Sequence, residues 1–199
     1  MYLTTIEESG AEGEVARWYE QQRQSWGYLP NYAPAFATRP DVGQAWNQLN
    51  GAIRGGMERR RYELATVAAA RARGSTYCLA AHTKFIRDEC SDEPTMRAVS
   101  EDPTGASLDA VDHAVIGFAT KIATDPASIT AGDVARLREL GLTDADVADV
   151  IFAVAARCFF ATVLDAAGCQ ADQQLATTFD PEVRDTLTVG RPFAGTPSA

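Results

Sequence analysis

Two residues that could carry chemistry stand four positions apart in the stretch RGSTYCLAAHTKF, namely Cys78 and His82. The chain contains only four cysteines and two histidines. On a helix, residues at i and i+4 share one face and lie about 5–6 Å apart at Cβ. His82 could therefore reach the Cys78 sulfur directly or through a water molecule, as a base that activates a thiol does. The alternative is a core cysteine beside an ordinary buried histidine, which is the commoner situation for an arbitrary Cys-x-x-x-His.

The helix start next to this pair favours an activated thiol. Gly74 ends one helix, and Ser75 can cap the next, which is predicted to run to about Asp88. Cys78 would then lie in the first turn, where unpaired N–H groups and the helix dipole stabilise a thiolate. Because the thiolate is the nucleophilic form of cysteine, this position suits covalent or redox chemistry.

A third candidate, Glu63, lies on the helix that precedes Gly74. Because the chain turns back at that glycine, Glu63 can approach the start of the next helix, where it could orient His82 or relay its proton. The alternative is an ion pair between Glu63 and the arginines at 59–61 on a solvated face. Spacing alone leaves both arrangements open.

The rest of the chain is predicted to be helical, since alanine is abundant and strand-type alternation is scarce. Two helix starts carry capping boxes with Thr-x-x-Asp spacing: Thr130 with Asp133, and Thr143 with Asp146. The second box begins a helix from about Asp144 to Ala167 that is apolar on nearly all sides. Such a helix is central in its fold or lies in a subunit interface. We expect one helical domain over residues 1–179 and an extended tail over residues 180–199, which wraps a neighbour or is disordered.

Composition limits the class of protein. The hydrophobic share of 46% in 199 residues is that of a soluble globular protein. The net charge of −9 argues against nucleic acid or an anionic membrane as a partner. The most apolar run, VIFAVAARCFFATVLDAAG, is interrupted by Arg157 and Asp165, so we expect no membrane span. An acidic N-terminus unlike a signal peptide predicts a cytoplasmic protein with reduced cysteines.

The sequence offers little for a metal or a cofactor. His82 and His113 form no metal-ligand spacing with each other. His113 is interpreted as a partly exposed helix residue without a catalytic role. A Gly-rich cradle for phosphate is also missing from the sequence. We therefore predict no metal site and no cofactor.

The segment YELATVAAARARGSTYCLAAHTKF resembles the core motif of the alkylhydroperoxidase D-like (AhpD-like) and carboxymuconolactone decarboxylase superfamily. In that motif a glutamate precedes a Cys-x-x-Cys pair and a histidine, and the four places are taken by Glu63, Ser75, Cys78 and His82. The flanking segments resemble the longer, peroxidase-related branch, so the likeness covers roughly residues 25–175. It implies an all-α, AhpD-like fold of two helical halves packed around the Cys78 helix. Together with the apolar last long helix, it predicts a homo-oligomer, either a dimer or a trimer-based assembly.

Ser75 is the departure from the motif. In redox-active members of the family the second cysteine is peroxidatic and the first resolves its sulfenic acid. The resemblance therefore gives Cys78 the peroxidatic role and puts a serine, which cannot form a disulfide, in the resolving place. It predicts thiol-dependent reduction of a small-molecule peroxide by Cys78, activated by His82 and Glu63, with an external thiol as reductant.

Two other functions remain open from the sequence. The first is a non-redox decarboxylase or isomerase, in which Glu63 and His82 act as acid and base on a carbonyl substrate and Cys78 is a bystander. The second is a helical oligomer that has lost turnover. For any enzyme of this fold, the aromatic residues Tyr77, Tyr28 and Tyr32 are candidates for the pocket wall, although aromatic side chains most often belong to the core.

Overall fold

The computed structural model describes residues 1–195, and over that range the chain is helical and contains no β-strand. The all-α prediction is confirmed. The helices are α1 (Gly13–Trp26), α2 (Pro40–Gly56), α3 (Arg59–Ala72), α4 (Thr76–Glu89), α5 (Glu93–Glu101), α6 (Ala110–Thr124), α7 (Ala131–Glu139), α8 (Asp144–Ala167), α9 (Gln173–Ala176) and α10 (Pro181–Leu187). Single 3₁₀ turns lie at Glu8–Gly10, Ala33–Phe36 and Pro126–Ser128.

Helix α3 is buried on every side and organises the core. All residues from 62 to 70 are buried, and four of these nine are alanines, whose small side chains let neighbouring helices approach closely. The main neighbours are α4, α6 and α8. Glu58 starts the helix, because its side chain accepts hydrogen bonds from the N–H groups of Arg60 and Arg61. The helices of the fold therefore meet along α3 as well as around the Cys78 helix.

The turn between α3 and α4 fixes the position of Cys78. Gly74 closes α3 with a φ of 66°, a left-handed conformation that glycine adopts without strain. Helix α4 begins at Thr76 as predicted, but the Ser75 side chain makes no capping hydrogen bond. Instead, Gly190 donates its N–H to Thr76 Oγ1 at 3.0 Å. A Cβ at Gly190 would lie 1.9 Å from the Gly74 carbonyl oxygen, so this close approach requires glycine.

The C-terminal segment differs from the extended tail that was expected from residue 180 onward. Pro181–Leu187 is helical, because the Asp180 carboxylate accepts the Val183 N–H at 2.9 Å and proline suits the first turn of a helix. Phe193 is buried against the same chain. The segment therefore packs on its own domain as far as residue 195. Residues 196–199 of the expected tail lie outside the described residues.

Helix α8 has the bounds predicted from the sequence and begins with the predicted capping box of Thr143 and Asp146. One side packs against α2, α3 and α6, whereas Ile151, Phe152 and Phe159 remain 39–54% exposed. By length and composition alone this helix could cross a membrane, but half of its most apolar 18-residue window is buried in the fold. α8 is thus a core helix with one apolar face toward solvent.

Candidate active site

Cys78 lines a cavity of about 500 Å³ between α1, α2, α3, α4 and α8. The residue lies in the first turn of α4, as predicted, and its side chain is only 2% exposed. Aromatic rings contribute much of the wall: Trp26, Tyr32, Trp46, Tyr62, Tyr77, Phe85 and Phe160. A cavity of this size accommodates a small organic molecule. The thiol therefore faces a partly open cavity with both aromatic and polar residues in its wall.

Arg157 on α8 provides the polar contact to the sulfur. Its Nη1 donates to Cys78 Sγ at 3.7 Å, and the side chain is buried. The guanidinium lies over the rings of Trp46 and Phe160, at 5.6 and 5.5 Å from their centroids. Burial lowers the pKa of Arg157, but Cys78 and Tyr62 raise it by more, so its pKa lies above the ordinary value. A permanent cation at this distance stabilises a thiolate.

The sequence did not identify Arg157 as a functional residue. It was interpreted only as an interruption of an apolar run, and it lies 79 positions from Cys78. A signal was nevertheless present, because a single arginine in the middle of a helix that is otherwise apolar on all sides needs a buried partner. The Cys78 sulfur and the two aromatic rings are that partner.

His82 and Glu63 form a close polar pair in the cavity wall. His82 Nδ1 lies 2.5 Å from Glu63 Oε2, and both side chains are buried. The pKa of His82 is lowered to about 4, first by burial and second by Arg157, while Glu63 opposes this effect. The imidazole is therefore neutral at pH 7. With Nδ1–H donating to the carboxylate, Nε2 is left as the proton acceptor.

Glu63 contacts both His82 and an arginine, but it does so in the buried interior rather than on a solvated face. Its Oε2 faces His82, while its Oε1 lies 2.7 Å from Arg59 Nε as an ion pair without the alignment of a hydrogen bond. Arg59 also lies 3.8 Å from the Glu89 carboxylate. The arginine therefore compensates the buried charge of Glu63, and the carboxylate in turn fixes the orientation of the histidine ring.

Cys78 and His82 make no direct hydrogen bond in the described part of the chain, although both line the cavity. The direct contact that their i, i+4 spacing allowed is replaced by the contact between Cys78 and Arg157. A proton that passes between the sulfur and the imidazole therefore needs a bridging group, such as a water molecule or the substrate itself.

Ser75 is fully buried at the start of α4, and its hydroxyl has no hydrogen-bond partner among residues 1–195. All four cysteines are free thiols. Burial raises the pKa of Cys90 and Cys158, and it raises that of Cys169 to about 11. Cys90 follows Cys78 by twelve residues, which corresponds to about 18 Å along a helix and is too far for a disulfide.

The three tyrosines proposed for the pocket wall separate into two groups. Tyr77 and Tyr32 line the cavity, whereas Tyr28 is not among its lining residues. The hydroxyls of Tyr28 and Tyr77 both donate to Asp172 Oδ2, and the Asn31 N–H donates to Oδ1 at 2.7 Å. Burial raises the pKa of Asp172, and these three donors oppose the rise. Asp172, which the sequence did not single out, therefore fixes the hydroxyl groups of both tyrosines.

Residues 1–195 contain no group of three or more His, Cys, Asp or Glu side chains that could hold a metal ion. His113 is exposed, lies outside the cavity and has its Nδ1 3.1 Å from the Thr104 carbonyl oxygen. The absence of a cofactor stays a prediction.

Residues 40–100 match the model of the carboxymuconolactone decarboxylase family. This segment includes Glu63, Ser75, Cys78 and His82 but ends before Arg157. Among curated proteins, none matches the chain. The fold and the site together define an all-helical, AhpD-like protein with a buried thiol close to a His–Glu pair. Residues 40–100 therefore resemble this family, and the chain has the AhpD-like fold that the resemblance implied.

Solved structures share the whole fold at low sequence identity. An uncharacterized peroxidase-related AhpD-core protein from Ralstonia eutropha JMP134 has a TM-score of 0.78 at 21% identity, over 87% of this chain and 93% of that one. A peroxidase-related protein from Silicibacter sp. TM1040 has a TM-score of 0.75 at 21% identity, over 86% and 93%. A cysteine-to-alanine variant of the debrominase Bmp8, in complex with 2,3,4-tribromopyrrole, has a TM-score of 0.72 at 17% identity, over 94% and 96%.

Proposed function

We propose that the protein is a thiol-dependent peroxidase whose nucleophile is Cys78. The observation that carries this proposal is the guanidinium of Arg157, 3.7 Å from the Cys78 sulfur, inside a cavity that admits a small molecule. A buried cation beside a cysteine favours the charged thiolate over the neutral thiol, whatever the fold. The neutral His82, oriented by Glu63, is the group that exchanges protons with substrate and product.

In the oxidising half-reaction, the Cys78 thiolate attacks the nearer oxygen of a hydroperoxide. The S–O bond forms as the O–O bond breaks, and the departing alkoxide takes a proton and leaves as the alcohol. The sulfur is oxidised to a sulfenic acid and the peroxide is reduced. His82 Nε2 takes the proton of the Cys78 thiol through a bridging water. The same proton is then delivered to the departing alkoxide, so the step is balanced.

The reducing half-reaction requires a thiol from outside the chain. Ser75 occupies the place of a resolving cysteine and cannot form a disulfide with Cys78. Cys90 lies about 18 Å along the helix from Cys78. An external thiol therefore condenses with the sulfenic acid and releases water, and a second thiol regenerates Cys78 and leaves as a disulfide.

The test is a peroxidase assay with a dithiol reductant, together with intact-mass detection of a sulfenic-acid adduct. The wild type should consume peroxide and gain the adduct, and Cys78→Ser should lose both. Cys90→Ser is the matched control on the same helix and should retain both. Peroxide turnover that survives in Cys78→Ser would contradict the proposal. A bromopyrrole belongs in the substrate panel, because the debrominase Bmp8 shares this fold.

One observation favours a second candidate function. The Glu63–His82 pair is complete without the sulfur, and the matching family is that of carboxymuconolactone decarboxylase. In a lyase or isomerase of this type, His82 would take a proton from a carbonyl substrate and Glu63 would hold the ring. A conversion that persists in Cys78→Ser and is lost in Glu63→Gln would favour this function over the peroxidase.

We propose further that the protein is a cytoplasmic homo-oligomer without nucleic-acid or membrane partners. Four free thiols suit a reducing compartment, and the net charge of −9 opposes polyanionic partners. Ile151, Phe152 and Phe159 form an exposed apolar face on α8 that a second copy could cover. Light scattering at micromolar concentration should give a mass above that of one chain, and a monomer would contradict this expectation.

A further inference from the structure

The cavity carries the opposite charge from the rest of the protein. Its lining contains four cationic side chains, from Arg54, Arg59, Lys84 and Arg157, against the carboxylates of Glu63 and Glu89. Because Lys84 also pairs with Asp88 beside the lining, this leaves a surplus of one positive charge while Cys78 is a thiol and His82 is neutral. The whole chain has a net charge of −9. A positive cavity in an acidic protein concentrates anionic small molecules, since the field in a cleft attracts the opposite charge.

Arg54 is the cation of this set that is free for a ligand. Arg59 contacts the carboxylates of Glu63 and Glu89, and Lys84 contacts Asp88 at 2.6 Å. Arg157 already faces the sulfur. Arg54 is exposed on α2, lines the cavity and makes no ion pair within residues 1–195.

Three further residues of α2 line the cavity on the same helix face as Arg54. Asn47, Asn50, Gly51 and Arg54 follow the spacing i, i+3, i+4, i+7, and we call these four residues the α2 rim. The Tyr62 hydroxyl donates to Asn50 Oδ1 at 2.7 Å, which directs that amide oxygen to the protein and leaves its NH₂ group for a ligand. The rim therefore presents donors and a positive charge, but no acidic side chain.

Gly51 leaves the middle of the rim unobstructed. It lies in the interior of α2 and is exposed. A Cβ built at Gly51 meets no atom within 4 Å, so no side chain of the described residues fills the space between Asn47 and Arg54.

We propose that the α2 rim binds the carboxylate of a small molecule whose other end reaches Cys78. This assignment rests on the proposed function, because the carboxylate belongs either to the hydroperoxide or to the thiol that reduces the sulfenic acid. The apolar body of the ligand packs on Trp26, Trp46 and Phe85 in the cavity wall. The guanidinium of Arg54 and the amide of Asn50 hold the carboxylate, and Arg157 is left to act on the sulfur.

The first experiment measures binding without chemistry. In the Cys78→Ser protein, 4-isopropylbenzoate and its neutral analogue 4-isopropylbenzyl alcohol are titrated, and fluorescence from Trp26 and Trp46 reports occupancy. The benzoate should bind about tenfold more tightly, as expected for a charge-assisted hydrogen bond. Arg54→Gln in the same background should remove this preference. Arg17→Gln, which changes an exposed arginine paired with Glu14 on α1, should keep it.

Equal affinity for the two compounds, or a preference that survives Arg54→Gln, would overturn the proposal. This test does not need peroxidase activity, so a failure of the proposed function would be seen separately in the Cys78→Ser assay.

The second experiment identifies the source of the carboxylate. Peroxide reduction is compared for cumene hydroperoxide and its 4-carboxylate, and the reducing half-reaction is compared for 2-mercaptoethanol and 3-mercaptopropionate. In one of the two half-reactions the carboxylated compound should have a kcat/KM about tenfold higher than its partner, and Arg54→Gln should remove this advantage. That half-reaction is the one whose ligand binds at the rim. A binding preference that affects neither half-reaction would contradict the assignment of the rim to this reaction.

Discussion

The α3–α4 hairpin and helix α8 contribute to the same cavity in different ways. The hairpin supplies groups that neutralise one another, since Glu63 holds His82 on one oxygen and faces Arg59 with the other. Helix α8 supplies one buried cation, Arg157, which contacts a sulfur and two aromatic rings and no carboxylate in the part of the chain described. A paired group of this kind positions a proton, whereas an uncompensated cation stabilises negative charge. The site therefore separates acid–base work from charge stabilisation.

The pH dependence of stability tests whether the hairpin side is neutral at rest. In the unfolded chain His82 takes up a proton below about pH 6.5, whereas in the folded chain it stays neutral down to about pH 4. The unfolded state binds more protons in this window, so stability should fall by about 3 kcal/mol as the pH drops from 6.5 to 4. Urea unfolding measured at both pH values gives the difference. In His82→Gln the fall should be smaller by about this amount, and an equal fall in both proteins would show that His82 is not held neutral.

Glu63→Gln sharpens the contrast by removing the charge from the hairpin side only. The amide keeps the size of the side chain but no longer orients the imidazole as a carboxylate does. Peroxidase kcat/KM should fall about a hundredfold, which is the usual contribution of a positioned acid–base group. The alkylation rate of Cys78 by iodoacetamide should change much less, because Arg157 remains in place. Parallel losses in both measurements would mean that the two sides do not have separate roles.

Arg157→Gln tests the other side of the comparison. Removal of the cation should slow iodoacetamide alkylation of Cys78 at neutral pH about tenfold, because a charge-assisted contact to the thiolate is lost. Arg157→Lys should retain part of the rate. Arg138→Gln, which removes an exposed arginine paired with Asp144 at 2.6 Å, should have no effect. Circular dichroism must show that the Arg157 variants are folded, and an unchanged rate in folded Arg157→Gln would contradict its role.

The hairpin side could be predicted because its information is local. Glu63, Cys78 and His82 lie within 20 residues of one another, and a single turn at Gly74 brings their helices together. Both Thr-x-x-Asp capping boxes also form as the spacing predicted. The capping hydrogen bond expected from Ser75 does not form, and its side chain is buried in the turn.

The α8 side could not be predicted in the same way, because its contacts join distant parts of the chain. Arg157 reaches Cys78 across 79 positions, and Asp172 reaches Tyr28 across 144. Helix periodicity shows that such residues are buried but not which partners they meet. Composition also misled in the C-terminal segment. Its prolines and glycines suggested extended chain, yet Asp180 followed by proline is a helix start, and Gly190 serves a close contact with Gly74.

Ser75→Cys would change the hairpin side and leave Arg157 in place, and it has the smallest expected effect on rate. Residues 75 and 78 lie three apart across a helix start, the arrangement in which Cys-x-x-Cys pairs close disulfides. The Ser75 hydroxyl makes no aligned hydrogen bond in the described residues, although it lies near the Asp165 carboxyl on α8. After peroxide attack, the new thiol should condense with the Cys78 sulfenic acid, release water and give a 75–78 disulfide visible in the intact mass.

The gain in turnover with a dithiol reductant should be severalfold, because an internal thiol replaces a bimolecular step. Ser75→Ala is the matched control: it also removes the hydroxyl but forms no disulfide and should turn over like the wild type. If the disulfide forms without any gain in rate, resolution is not the slow step. If, in addition, Glu63→Gln abolishes a conversion that Cys78→Ser retains, the acid–base pair of the hairpin is the functional centre. Arg157 would then serve the substrate rather than the sulfur.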